Sequence, residues 1–212
     1  MINVIVVDDH PLVREGLKKI LTNETLGIEV VAEASNAIDL MEKLETIVPD
    51  VVILDISMPG KTGLDIIKDL KQTHPNLPIL ILSMHPEERF AVRVLKAGAS
   101  GYINKNSVNE ELTKAIRVVV TEKRRFISQA VGDQLADFVL SDEHPTLHES
   151  LSDREYQVLC MIATGKKIGA IAEELSLSAQ TIHTYRARLK EKMNMKSNAE
   201  MIRYAIDQNL VD

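Results

Sequence analysis

Asp8-Asp9, Asp55, Ser83 and Lys105 each close a short apolar run of the sequence. The sharpest case is VVILDISMPG, residues 51–60, in which four apolar residues lead straight into Asp55. If these runs are neighbouring parallel strands, their carboxyl ends share one rim, where open α/β sheets bind ligands. Three carboxylates at one rim repel each other, and a divalent cation relieves the repulsion. Mg2+ suits such a place, because it takes a few oxygen ligands, keeps waters and accompanies phosphate. An aspartate is also a competent nucleophile towards phosphorus, giving an acyl phosphate. Lys105 and the cation would then neutralise charge on the transferring phosphoryl group, and Ser83 would hydrogen-bond one of its oxygens. Acids also end strands as simple turn starters. It is the convergence of five polar groups that points to phosphoryl chemistry.

The elements that must position these groups are legible in the spacing of apolar residues. NVIVV (3–7), IEVVAEA (28–34), VVIL (51–54), PILILS (78–83) and GYIN (101–104) have the length and texture of strands buried on both faces. Helical spacings lie between and after them: Leu12, Leu17, Ile20 and Leu21 behind Pro11; Ile38, Met41 and Leu44; Leu64, Ile67 and Leu70; Phe90, Val94 and Leu95; Leu112, Ala115, Ile116 and Val119. Five βα repeats predict a doubly wound, flavodoxin-like (βα)5 domain with a parallel sheet over residues 1–121. Asp8 and Asp9 then end the first strand, across the topological switch point from Asp55 on the third.

After residue 121 the texture changes. Residues 122–149 read as a linker, with a short helix from Ser128 to Leu140 and then the polar stretch SDEHPTLHES. Residues 150–212 read as all-α, with four helices. The first opens on the capping box Ser152/Glu155. KIGAIAEEL is a short helix, Ser178 caps the next, and TIHTYRARLKEKMN is longer and basic. Short helix, tight turn and long basic helix make a helix-turn-helix, which places its second helix in the major groove of double-stranded DNA. Helical spacing puts Ile182, Leu189 and Met193 on the core side. Thr181, His183, Thr184 and Arg188 are the candidates for base edges and the groove. Lys166, Lys167, Tyr185, Arg186 and Lys192 are the candidates for phosphates.

Composition narrows the class. With 45% hydrophobic and 26% charged residues the chain is globular, and with 3% aromatics its core is aliphatic. The start MINVIVVDD has no signal-peptide pattern and no apolar stretch spans a bilayer, so a cytoplasmic protein without membrane contact is expected. The single cysteine, Cys160, forms no intramolecular disulfide and, like the methionines, reads as core filler. The net charge of −6 is uneven: residues 151–212 carry 9 Lys+Arg against 8 Asp+Glu, and residues 1–150 carry 16 against 23. Only the second half has the balance for a nucleic-acid partner. His10, His74 and His85 read as loop or helix-start residues without metal-ligand spacing, and His144 and His148 fall in the linker.

Asp8-Asp9, Asp55, Met58-Pro59, Gly63, Ser83, Gly98-Ala99, Tyr102 and Lys105 together resemble the receiver domain of two-component response regulators. The run from LSDREYQVLC to MIRYA resembles the LuxR-type helix-turn-helix. The chain is therefore similar to NarL/FixJ-type response regulators, which are DNA-binding transcription factors. The resemblance implies that Asp55 takes a phosphoryl group from a sensor histidine kinase. It implies Mg2+ held by Asp9, Asp55 and the Ser57 carbonyl, with Asp8 assisting through water. Ser83 and Tyr102 would be the switch pair, and phosphorylation would favour a homodimer that grips two half-sites. The last helix, with Met201, Ile202, Tyr204 and Ala205, is the family's dimer contact, although its apolar spacing fits intradomain core equally. The sequence departs from the family at Asn106, where a proline is common, in the KKIGAIA run, and at His183 and Tyr185.

Two other classes compete. An aspartyl-phosphate phosphohydrolase usually has a second acid two residues after its nucleophile, and here that residue is Ser57. Self-phosphorylation and self-dephosphorylation are therefore the only turnover expected. A signalling adaptor would use the helical half to bind protein in place of DNA.

Overall fold

Strands and helices alternate strictly through the first half of the chain. A computed structural model describes residues 1–22, 27–56, 58, 61, 63–84, 87–128, 131–133, 146–175, 177–208 and 210–211. These divide into two compact units, Met1–Leu140 and Ser141–Asp212.

The first unit contains β1 (Ile2–Val7), α1 (Pro11–Leu21), β2 (Ile28–Ala34), α2 (Ala37–Leu44), β3 (Val51–Asp55), α3 (Gly63–Thr73), β4 (Ile79–Ser83), α4 (Glu87–Ala97), β5 (Gly101–Asn104) and α5 (Val108–Val120). The sheet order is β2-β1-β3-β4-β5 and every pairing is parallel. This is the flavodoxin-like order, with the switch point between β1 and β3. Both faces are covered, which is why the strands read as continuous apolar runs. On one face Val4, Val6, Ile53, Leu80 and Leu82 pack with Leu17, Leu21, Leu112 and Ile116. By the two-residue period of a strand, Ile5, Val52, Leu54 and Ile81 serve the other face and are equally buried. Truncating a side chain such as Ile53, which has no exposed surface, to alanine would cost about 2–5 kcal/mol.

Two residues of the expected helix faces are not in the core. Leu12 is 82% exposed and Ile38 is 73% exposed. Both stand in the first turn of their helix, and the buried stripes run instead through Leu17 and Leu21 and through Leu40 and Leu44, each pair four residues apart.

The chain leaving α5 returns to the sheet. Phe126 forms a bridge beside Gly101, and its N–H donates to the Ser100 carbonyl at 2.8 Å. A Cβ on Gly101 would lie 2.8 Å from the Phe126 carbonyl oxygen, so only glycine allows this approach. Of the helix expected over residues 128–140, residues 131–133 are helical; Gln129, Ala130 and residues 134–140 lie outside the described residues, as do His85 and His144.

The second unit packs α6 (Asp153–Ala163), α7 (Ile168–Glu174), α8 (Ala179–Lys192) and α9 (Asn198–Asp207) around Val158, Leu159, Ile171, Ile182, Leu189, Met201 and Ala205. The capping box at Ser152 and Glu155 is formed in both directions. Ser178 caps α8 by accepting from the Thr181 N–H at 3.0 Å. Ahead of α6, residues Leu147–Ser150 form a 3-10 turn. His148 ties that turn to α9: its ring Nδ1 lies 2.9 Å from the Tyr204 hydroxyl, and its backbone N–H donates to the same oxygen at 3.3 Å.

Candidate functional site

The carboxyl ends of β1, β3, β4 and β5 bring the predicted acidic site together. Asp55 is the last residue of β3 and Ser83 the last of β4, and Asp8 follows β1 directly. Asp8, Asp55 and Ser83 are buried, with 1%, 2% and 0% exposure. Gly63 keeps the exit of β3 tight, since a Cβ there would lie 2.8 Å from Ile56 Cα.

Lys105 lies just past β5 and reaches across the rim. Its Nζ donates to Asp8 Oδ2 at 2.7 Å and lies 3.2 Å from Asp55 Oδ2. Burial alone would lower the Lys105 pKa, but the Asp55 and Asp8 carboxylates outweigh it and hold the ammonium above its ordinary value. One cation is thus shared by two buried carboxylates. Asn106, where the family commonly has proline, has a purpose here. Its N–H, which proline would lack, donates to Asn104 Oδ1 at 2.9 Å and caps the turn that carries Lys105. The Lys105–Asn106 peptide is trans.

Asp8, Asp9, His10 and Asp55 each offer a ligand atom, all within 4.8 Å of one another. Asp9 Oδ1 is buried and accepts no hydrogen bond of normal geometry, its nearest basic atom being His10 Nδ1 at 3.0 Å. Three carboxylates with ligand atoms this close, one of them with an oxygen that accepts no hydrogen bond, fit a divalent cation. Ser57, whose carbonyl was expected to complete the site, lies outside the described residues. Tyr102, on β5, is 1% exposed, so its ring is on the inside.

Sequence reasoning missed two residues at this rim. His10 places Nδ1 3.2 Å from Asp8 Oδ1 and 3.0 Å from Asp9 Oδ1. Arg14 donates from Nη1 to the Asp8 carbonyl at 2.6 Å and so braces the chain after β1. The signal for His10 was its position directly after the aspartate pair. Arg14 stands one turn into α1, the helix that follows them.

In the second unit the helix-turn-helix is α7 and α8. His183, Thr184 and Arg188 are exposed on α8, and Thr181, Tyr185 and Arg186 are half-buried. Lys167 is exposed at the start of α7. Two of the expected phosphate contacts are engaged elsewhere. Lys192 Nζ donates to Glu155 Oε2 at 2.7 Å, and Lys166 Nζ lies 2.5 Å from Glu174 Oε2. Burial raises the Glu155 pKa, but Lys192 and the capping bonds from Ser152 outweigh it and hold the carboxyl below its usual range. Thr184 donates its hydroxyl to the Gln180 carbonyl at 3.1 Å. On α9 the expected dimer surface needs correction. Met201 and Ala205 have no exposed surface and belong to the core of their own unit. Ile202 and Tyr204 are half-buried, and Ile206, which was not singled out, is 51% exposed. The cause is the helical period: positions 201 and 205 share the face turned to α6.

Among the described residues no helix is long and apolar enough to cross a membrane. Residues 4–117 match the response regulator receiver domain, and residues 149–205 match the bacterial regulatory proteins of the luxR family. The chain is 37% identical over 213 residues to the response regulator GacA of Pseudomonas aeruginosa, covering 100% of this chain and 99% of that protein. It is 38% identical over 214 residues to the response regulator UvrY of Escherichia coli, covering 99% and 96%. A solved structure of RcsB from Salmonella enterica serovar Typhimurium, bound to promoter rprA in the presence of phosphomimetic BeF3-, shares 28% identity. It covers 96% of this chain and 97% of its own, with a TM-score of 0.63. With its receiver fold, its acidic rim and its helix-turn-helix, this chain belongs to the response regulators of the NarL/FixJ type, the transcription factors that join a receiver domain to a LuxR-type DNA-binding domain.

Proposed function

We propose that Asp55 is the phosphoryl acceptor and that its phosphorylation by a sensor histidine kinase switches DNA binding by the second unit. In this reading a carboxylate oxygen of Asp55 attacks phosphorus, the P–N bond to the kinase histidine breaks, and the electron pair leaves with the imidazole. The observation that carries the reading is the pairing of two buried carboxylates, Asp8 and Asp55, with a single ammonium beside a third carboxylate, Asp9. Asp8, Asp9, Asp55 and the Ser57 carbonyl would hold Mg2+, which would supply charge neutralisation at the phosphoryl oxygens. Lys105 then neutralises further charge on the new acyl phosphate. Ser83, buried at the end of β4, donates its hydroxyl to a phosphoryl oxygen, and the inward Tyr102 ring fills the space that this movement leaves. No turnover of a separate substrate is part of this reading.

The output is sequence-specific binding to double-stranded DNA by a phosphorylated homodimer in the cytoplasm. RcsB is known bound to a promoter, and the likeness to it supports this output. Thr181, His183, Thr184 and Arg188 read the groove, and Lys167, Tyr185 and Arg186 contact phosphates. Ile202 and Ile206 on α9 offer apolar surface to the second copy, beside the half-buried Tyr204 whose hydroxyl is held on His148. The working boundaries are 1–121 for the receiver, 122–149 for the linker and 150–212 for the DNA-binding domain. Incubation with a small phosphodonor and Mg2+ should label the chain at Asp55, and Asp55→Asn should remove the label. Labelling that survives Asp55→Asn would refute the assignment. Arg188→Ala should weaken operator binding and lower the slope of log affinity against log salt if it touches a phosphate, or relax base preference if it reads a base.

A further inference from the structure

At the end of the sheet opposite the acidic rim, the first unit has a cavity of about 930 Å³. It lies where β3, β4 and β5 begin, between the α2–β3 loop, the α3–β4 loop and the chain leaving α5. One wall is three consecutive cations, Lys123, Arg124 and Arg125, all exposed. Lys123, three residues past the end of α5, has a φ of 52°, a left-handed turn beside which this triplet runs along the rim. The facing loops contribute Val48 on the outer rim with Pro75 and Pro78, and the polar Asp50, His74, Asn76 and Ser100 between them.

Three cations stand here against two carboxylates, Glu122 and Asp50, in a body whose first 150 residues are acidic. Glu122 pairs with Arg124, and Asp50, which lines the bowl, accepts the Asn3 N–H at 2.7 Å and keeps its charge, so Lys123 and Arg125 are the cations that face the bowl without an ion pair among the described residues. Lys71 stands behind the wall, where its Nζ donates to the Leu77 carbonyl at 2.7 Å and the Pro75 carbonyl at 3.2 Å. Burial, and then repulsion from Arg125, push its pKa down. The concavity has the size of small-molecule sites, which run from about 300 to 1,000 Å³. One cationic wall facing a mixed floor of prolines and hydrogen-bonding side chains matches a ligand with a flat, polar-edged part and a phosphate tail.

We propose that this bowl binds a phosphorylated small molecule of nucleotide size, with its phosphates on Lys123 and Arg125 and its flat part on Val48, Pro75 and Pro78. This site is independent of the phosphoryl acceptor at the other end of the sheet. The test uses the full chain with ATP as probe in EDTA, so that the acidic rim cannot hold a metal–nucleotide complex. Calorimetry should give saturable binding at one site, and amide chemical-shift changes should concentrate at residues 44–50, 74–78 and 123–125. Lys123→Glu with Arg125→Glu should weaken binding by about tenfold or more. Val48→Asp, a change at a position 88% exposed, should weaken it independently from the facing wall. Arg186→Glu, in the second unit, should leave it unchanged. Binding that survives the charge reversals, or that is lost with Arg186→Glu, overturns the proposal. So does ATP that binds no more tightly than inorganic pyrophosphate, or an absence of saturable binding at millimolar ATP.

Discussion

Lys105→Met tests the electrostatics of the acidic rim. The side chains of Lys105, Asp8 and Asp55 are 14%, 1% and 2% exposed. Methionine keeps the length of the side chain and removes its charge. Two buried carboxylates are then left with ligand atoms within 4.8 Å of each other. At an effective dielectric constant near 20, repulsion at about that distance is roughly 3.5 kcal/mol. Removing one partner of a buried pair costs about 3–5 kcal/mol, and the partial exposure of Lys105 favours the lower end. The two routes agree on a loss of about 3 kcal/mol in metal-free buffer. Urea unfolding of the full chain in EDTA, fitted on the receiver transition, reads this loss. Added Mg2+ should then stabilise the variant more than the parent, because the variant's site is more negative and ligand binding adds stability by mass action. The pH dependence has a definite sign. The Lys105 pKa is raised on folding, so its contribution is full below the ordinary lysine value and is lost as pH rises through the folded value. That alkaline loss should be missing from Lys105→Met. A variant within about 0.5 kcal/mol of the parent in EDTA, a size ordinary for surface changes, would refute the reasoning.

Lys192→Met leaves the buried Glu155 carboxylate without its cation, and should cost the second unit about 1 kcal/mol after allowance for the partial exposure of Lys192. Because the Glu155 pKa is depressed, that contribution is present above the ordinary carboxylate value and is lost as pH falls through the folded one, so the deficit should shrink in acid unfolding series. Tyr204→Phe removes the oxygen that holds both His148 groups, and should cost about 1–2 kcal/mol and speed amide exchange at His148. Gly101→Ala sets a methyl 2.8 Å from both the Phe126 oxygen and Leu80 Cδ2, and should lower the receiver's melting temperature, at a cost of about 1–3 kcal/mol.

The fold was legible because five buried strands leave an unambiguous texture, and the acidic rim was legible because strand ends are where such sheets present function. Asp8, Asp55, Ser83 and Lys105 meet for that reason alone. The partners of Lys166 and Lys192 were hidden, since a basic residue on a helix reads the same whether it faces DNA or a carboxylate 37 positions away. Met201 and Ala205 show the same ambiguity in apolar form: the helical period names a face but not what covers it. The cation-walled bowl was invisible because its walls come from three separate loops, and only topology gathers them.

The bridge between Phe126 and Gly101 bears on how a message leaves the receiver. β5 begins at the residue that Phe126 grips and ends beside Lys105. The strand is a stiff rod four residues long, about 13 Å, with the chemistry at one tip and the root of the outgoing tether clamped to the other. A slide or tilt of that rod reaches residue 126 with no slack to absorb it.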